Sequence, residues 1–162
     1  MIPAALLILL AIGCSSTKIS NRQEYQGEKL ARPGRILIYD FTANPSDVPP
    51  ESAFAAENAV AQNAPTAQEL ELTAKLGAEI AKQVTEHLRD AGLPAVQAAG
   101  QQGPQIDDVM IRGYFVSADA GSAAKRLLVG FGSGSAELTT AVEGYQMTSQ
   151  GARLLGSGTV DS

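Results

Sequence analysis

Few side chains in this chain of 162 residues are suited to chemistry, and they are thinly spread. There is one cysteine, Cys14, and one histidine, His87. A single cysteine can be a buried core residue, a reactive thiol, a metal ligand or an attachment point, and it permits no internal disulfide. One His and one Cys do not make a zinc site of the usual nitrogen and sulfur kind, so no metal is expected. His87 falls near the end of a helical pattern, where the macrodipole favours it. Asp40, Asp107, Asp108 and Asp119 fall near strand ends. Two such carboxylates can hold a cation or work as acid and base, but their spacing follows no motif, and solvated strand-end carboxylates are expected. No G-x-S-x-G elbow is present. No catalytic residue is assigned, no cofactor is expected, and the chain is read as a non-enzyme.

The stretch "GFGSGS", Gly130 to Ser135, invites a phosphate-binding reading. A dinucleotide fingerprint needs G-x-G-x-x-G between a strand and a helix. Here Gly130, Gly132 and Gly134 bring the third glycine one residue early, and an alternating, strand-like pattern follows. A P-loop needs Lys and then Ser or Thr after its last glycine, and Ser135-Ala136 does not supply them. The segment reads as a glycine-rich strand or bend where another backbone packs close. A phosphate or lipid-like ligand, assisted by Lys125 and Arg126, and a glycine-zipper contact are the alternatives.

Cys14 closes "LLILLAIGC". Ile2 to Gly13 is an apolar run of about twelve residues, where a spanning helix needs roughly twenty. It fits the hydrophobic region of a secretory signal. The residues "AIGC" resemble the lipobox of bacterial lipoproteins, whose signal is cut just before a cysteine that becomes acylated. Ala11 stands where Leu is usual, and no Lys or Arg precedes the apolar run. The resemblance implies an acyl anchor at Cys14 as the membrane contact. Ser15, rather than Asp, after the cysteine implies an outer-membrane lipoprotein facing the periplasm. Each buried CH₂ of such an anchor contributes about 0.8 kcal/mol, and two or more chains hold stably.

The elements that must position these residues follow. Residues 1–13 read as signal peptide, and 14–34 as the lipidated cysteine and a flexible polar tether. Residues 35–162 read as one domain. "RILIYDF" reads as a strand buried on both faces, and residues 42–65 as a surface loop with a short helix as the alternative. From Thr66, "TAQE" is a capping box. The helix it opens places Leu70, Leu76, Gly77, Ile80, Ala81, Val84 and Leu88 on one face and ends at Gly92. Ala74, Gly77 and Ala81 are small enough to let it sit close on a sheet. "LPAVQ" and "DDVMIRGYFVSAD" read as strands, with Gly113 marking a bulge or a close backbone approach. "AGSAA" reads as a turn. "AELTTAVEGYQM" and "ARLLGSGTV" read as a hairpin, with Thr140 and Val142 on one face and Ala141 and Glu143 on the other. The expected fold is α+β: a mostly antiparallel sheet of about four to five strands with one long amphipathic helix on one face.

Hydrophobic residues are 44%, charged residues 18%, and the net charge is −5. With scattered cations, binding to nucleic acid is not expected. "GRILIYDF", "LRDAGLPA", "VMIRGYFVSADAGSAAKRLLVGFGSGSAELTTAVEGYQM" and "GSGTVDS" resemble an uncharacterised family of proteobacterial envelope lipoproteins, domain of unknown function 4410. The resemblance runs from about Cys14 to the end and implies no activity or catalytic residue. With the lipobox and no catalytic constellation, an envelope protein is the expected partner. Relatives usually continue past the position of Ser162, so a domain truncated at its C-terminus, with an exposed apolar sheet face, is an expectation. The sequence as a whole reads as an outer-membrane-anchored, non-catalytic interaction or envelope-assembly module. The alternative is a small-molecule, phosphate or lipid binder using Gly130–Ser135.

Overall fold

Thr66 starts the longest element. Its hydroxyl accepts from the Glu69 N–H at 3.3 Å, and the Glu69 carboxylate accepts from the Thr66 N–H at 2.8 Å. These reciprocal bonds satisfy two donors that the first helical turn leaves free. They open helix α1, Ala67–Asp90. At its other end Gly92 takes φ +78°. Its N–H bonds the Arg89 carbonyl while the Leu93 N–H bonds that of Leu88. This Schellman closure needs a residue without a Cβ penalty in the left-handed region.

The computed structural model describes residues 18–55, 65–116, 120–129 and 138–161, without the side chains of residues 122 and 127–129. Strands β1 (Lys18–Glu24), β2 (Ile36–Ile38), β3 (Ala95–Gln97), β4 (Val109–Phe115), β5 (Thr139–Thr148) and β6 (Gly151–Asp161) form one sheet in the order β1-β6-β5-β4-β2-β3. A second helix, α2, spans Ala120–Val129. The expected fold is corrected in strand number, strand direction and helix number. Six strands make a mixed sheet, with β2 parallel to both β3 and β4 and the remaining pairings antiparallel.

Each correction has a physical reason. The chain leaves β2, crosses through α1 and returns to the same end, so β3 runs parallel to β2. Ile36, Leu37 and Ile38 are all buried, as a strand flanked by parallel neighbours requires. β1 lies in the segment read as a tether. Its residues are polar and nearly all exposed. Ladder bonds to β6 hold it, with a bulge between Ser20 and Gln23 where Asn21 takes φ 51°, so hydropathy carries no trace of it. The stretch "AGSAA" opens α2 instead of a turn. Ala120, Ala123 and Ala124 form a buried stripe at helical spacing in the core that α1 also enters, and burial chooses the helix. The second half of the surface-loop segment, residues 56–64, lies outside the described residues.

Both helices cover one face of the sheet. On α1 the buried line is Thr73, Leu76, Gly77, Ala81 and Thr85. Ala74 is exposed, and the two threonines join the buried face. Their hydroxyls return to the helix's own carbonyls, Thr73 to Glu69 at 2.8 Å and Thr85 to Ala81 at 2.7 Å, so neither brings an unpaired donor into the core. Gly77 touches the chain beyond β2 directly. A Cβ there would lie 1.8 Å from the Phe41 carbonyl oxygen, and the Phe41 N–H donates to the Gly77 carbonyl at 3.3 Å. Gly113 in β4 faces the Phe41 ring, 2.1 Å from where its Cβ would stand. The expected close approach at Gly113 is therefore Phe41, seated between two glycines.

At the opposite end of β2, Arg35 ties β4 in place. Its Nε donates to Oδ2 of Asp108 at 3.1 Å and its Nη2 to the Gly103 carbonyl at 3.2 Å, while the Gln105 N–H also reaches Asp108 Oδ2. Burial alone would raise the Asp108 pKa, but Arg35 and the Gln105 N–H outweigh it and hold the group below its ordinary 3.8. Asp108 is thus a buried structural ion rather than a solvated strand end.

Gly77→Ala is expected to cost at least about 2–3 kcal/mol in urea unfolding, because backbone must move. Gly34→Ala, with open space around it, is expected to be neutral or stabilising by up to about 1 kcal/mol. The Asp108 contribution is present above the unfolded value of 3.8 and is lost as pH falls through the lower folded value. Asp108→Asn is expected to cost about 1.5–3 kcal/mol at pH 7 and to flatten the loss of stability below pH 4, as read from denaturant midpoints across pH.

Candidate functional site

Strand alternation sends Leu37, Met110 and Tyr145 to the face that α1 and α2 do not cover, packed with Tyr39, Val96, Ala98, Met147 and Leu154. Tyr114 and Ala141 continue that face and meet Val48, Phe54 and Val116. The segment 48–55 therefore lies over part of the helix-free face as a strap. The large exposed hydrophobics among the described residues are Ile19 and Ile106.

Glu143 projects into this buried layer and is 0% exposed. It stands opposite Arg112 across the β4–β5 ladder. Among the described residues the two make no ion pair. Instead the strap's Ala53 N–H donates to Oε1 at 2.9 Å and the Tyr145 hydroxyl donates to Oε2 at 2.7 Å. Both carboxylate oxygens are thus engaged by donors, which offsets part of the cost of burying the group. Glu143 shares its face of β5 with Ala141, as the alternation predicts, and both are buried.

Tyr114 is 2% exposed, and its buried hydroxyl makes no hydrogen bond. Burial first, then the Glu143 charge, pushes its pKa up to about 12, with Arg112 pulling the other way. The Tyr145 pKa is also raised, by burial and by its bond to Glu143. The Arg112 guanidinium lies over the Tyr39 ring, 4.4 Å from its centroid. The guanidinium also reaches the Tyr114 hydroxyl, whose ionised form it favours.

Arg112, Tyr39 and Tyr114 line a cleft of about 450 Å³ at the carboxyl end of β2, with Asp40, Phe41, Thr42, Asp47, Gly113 and the small residues Ala74, Ala98 and Ala99. Strand ends of this kind are where parallel segments leave room for ligands. The Phe41 seat shapes it. After Phe41, Thr42 pairs with β4: its N–H bonds the Gly113 carbonyl at 3.1 Å and its carbonyl takes the Phe115 N–H at 2.9 Å. The Thr42 hydroxyl then donates to Asp47 at 3.1 Å and fixes that carboxylate at the rim.

Of the residues singled out in the sequence, Cys14, Gly130, Gly132, Gly134 and Asp119 lie outside the described residues. Lys125 and Arg126 are exposed on α2. His87 is exposed near the end of α1, its Nδ1 2.8 Å from the Gln83 carbonyl oxygen. Asp107 accepts from Gln146 at 3.2 Å. Asp40 lines the cleft, as do Gly113 and Ala74. Sequence reasoning passed over Tyr39, Arg112, Tyr114 and Glu143, although Arg112 interrupts the apolar run "VMIRGYF". No group of three or more His, Cys, Asp or Glu side chains that could hold a metal ion is found among the described residues.

The two tyrosines should separate cleanly. Tyr114→Phe is expected to be neutral or stabilising at pH 7, since no bond is lost, whereas Tyr145→Phe is expected to cost about 1–3 kcal/mol by stripping a donor from Glu143. A raised folded pKa gives stability that is full below the unfolded value of 10 and is lost as pH rises through the folded one. The wild type is therefore expected to lose stability between pH 10 and about 12, and Tyr114→Phe to lose less, measured by thermal melts across that range.

Among curated proteins nothing matches the chain. Among solved structures it is similar to a PelC dodecamer variant from Paraburkholderia phytofirmans, at 13% identity and a TM-score of 0.43, covering 91% of this chain and 79% of that one. A family described as a domain of unknown function, DUF4410, matches residues 36–159, from the first residue of β2 almost to the end of β6, and the chain belongs to that family.

Proposed function

We propose that the chain is an outer-membrane lipoprotein, acylated at Cys14, whose domain faces the periplasm and serves as a non-catalytic interaction or envelope-assembly module with an envelope protein as partner. The observation that carries this reading is the sequence "LLILLAIGCSS": an apolar run too short to span, small residues before a lone cysteine, and polar residues after it. No helix among the described residues is long and apolar enough to cross a membrane, so the reading rests on the acyl chains for attachment.

β1 adds a consequence. Only residues 15–17 separate Cys14 from the first residue of β1, and an extended chain covers roughly 14 Å over that interval. An acylated Cys14 therefore holds the β1 edge at the membrane surface, where a tether to residue 34 would have let the domain stand far off. Ile19, 63% exposed on that edge, would lie closest to the lipid. The non-catalytic reading is supported by Glu143, whose two oxygens are engaged and shut from solvent.

Intact mass measurement of protein purified from a Gram-negative host tests the anchor. The expected mass lacks residues 1–13 and carries lipid on Cys14, and Cys14→Ser is expected to lose both changes and leave the outer-membrane fraction. An unprocessed, lipid-free chain would end the proposal. In vesicles, a fluorophore at Lys18 is expected to be quenched by headgroup-linked quenchers several-fold more than one at Gln101, and equal quenching would refute the short reach.

A further inference from the structure

The cleft at the end of β2 is lined by an arginine with donors to spare. Arg112 sits in the middle of a sheet strand, half-buried, and of its five N–H donors only part face the Tyr114 hydroxyl. Desolvating a guanidinium is costly unless an acceptor compensates. Its stacking on Tyr39 fixes its plane, which lowers the entropy cost of presenting a two-pronged donor to a carboxylate. Beside it the Tyr114 hydroxyl is buried between Arg112 and the Glu143 carboxylate. The guanidinium N–H groups that do not face Tyr114 stand at the cleft wall, where an acceptor from outside the chain can reach them.

We propose that this cleft binds a small zwitterion of amino-acid to dipeptide size, with its carboxylate on Arg112 and its ammonium on Asp40 and Asp47. The charge pattern selects this class. The cleft lining carries one guanidinium and two carboxylates, so a phosphate dianion meets net repulsion while a carboxylate joined to an ammonium meets complementary charge at both ends. The Thr42 bond holds Asp47 in place, and Asp40 follows Tyr39 directly, which sets a carboxylate next to the residue on whose ring Arg112 stacks. The volume of about 450 Å³ lies towards the small end of ligand sites. Ala74, Ala98 and Ala99 leave shallow walls suited to small apolar side chains. The site is independent of Gly130–Ser135 and of acylation at Cys14.

Calorimetric titration of the full chain in detergent with L-Ala-L-Ala tests the assignment. Saturable binding with one site per chain is expected. The end-blocked forms, N-acetyl-L-Ala-L-Ala and L-Ala-L-Ala amide, are each expected to bind at least about tenfold more weakly, since each removes one charge-assisted contact. Arg112→Gln and Asp40→Asn are expected to weaken L-Ala-L-Ala by a similar factor while the thermal melt of Asp40→Asn stays unchanged. No saturable binding at millimolar dipeptide, or an amide as tight as the parent, would overturn the proposal. The end-blocked ligands decide the matter without any variant, so a poorly folding Arg112→Gln leaves the test intact.

Discussion

Phe41 between Gly77 and Gly113 sets the spacing of the domain. A helix usually stands off a sheet by the length of its side chains. Here α1 meets the chain beyond β2 backbone to backbone, because Gly77 offers no Cβ to the Phe41 carbonyl, and the Phe41 ring fills the space that a side chain at Gly113 would need. One ring and two absences of a side chain thus bring helix, strand β4 and the exit of β2 into a single contact. The ring also meets Phe115, with centroids 6.3 Å apart, which carries the contact into the core beneath α2. Substitution is restricted in both directions there: a larger residue at either glycine collides, and a smaller one at Phe41 leaves a void.

That contact also decides where polar groups gather. Drawn toward α1 at Phe41, the chain turns back at Thr42 to pair with β4, and the space it vacates is the cleft. The residues just before the turn, Tyr39 and Asp40, and those across from it, Arg112 and Tyr114, become its walls. The strap then closes the neighbouring region of the same face with Val48 and Phe54. The Ala53 N–H anchors it to Glu143. A buried carboxylate is costly in an apolar layer, yet here it holds down a segment whose apolar anchors are Val48 and Phe54.

The elements with strong local signals were legible in the sequence. α1 declared both its ends, through the capping reciprocity of Thr66 and Glu69 and the left-handed Gly92. The β5–β6 hairpin and the close approach at Gly113 were legible as well. Local signals failed where long-range geometry decides. β1 is held by ladder bonds without burial, so its polar sequence looks like a tether. The parallel pairing of β2 depends on where a 24-residue helix returns the chain, although the doubly buried "ILI" was already consistent with it. α2 owes its form to an alanine stripe that only a neighbouring helix makes meaningful. At the site, Arg112 and Glu143 break the polarity expected of their strands. Such breaks mark where a fold has another use for a residue. Read one strand at a time, they gave no hint that the two stand opposite each other.

The strand order bears on how attachment and binding can coexist. β1 is one edge of the sheet, and β2 lies four strand spacings away. At about 4.8 Å each this is roughly 19 Å. An acyl anchor at Cys14 would therefore hold down the edge remote from the cleft, although the register Lys18–Asp161–Thr139 sets that attachment at the same strand ends from which β2 and β4 leave the sheet. Had the domain been attached through β3, the adjoining strand on the other side of β2, the bilayer would have crowded the same strand ends that open the cleft. Attachment through β1 would thus be parted from the cleft by the width of the sheet and not by the length of its strands.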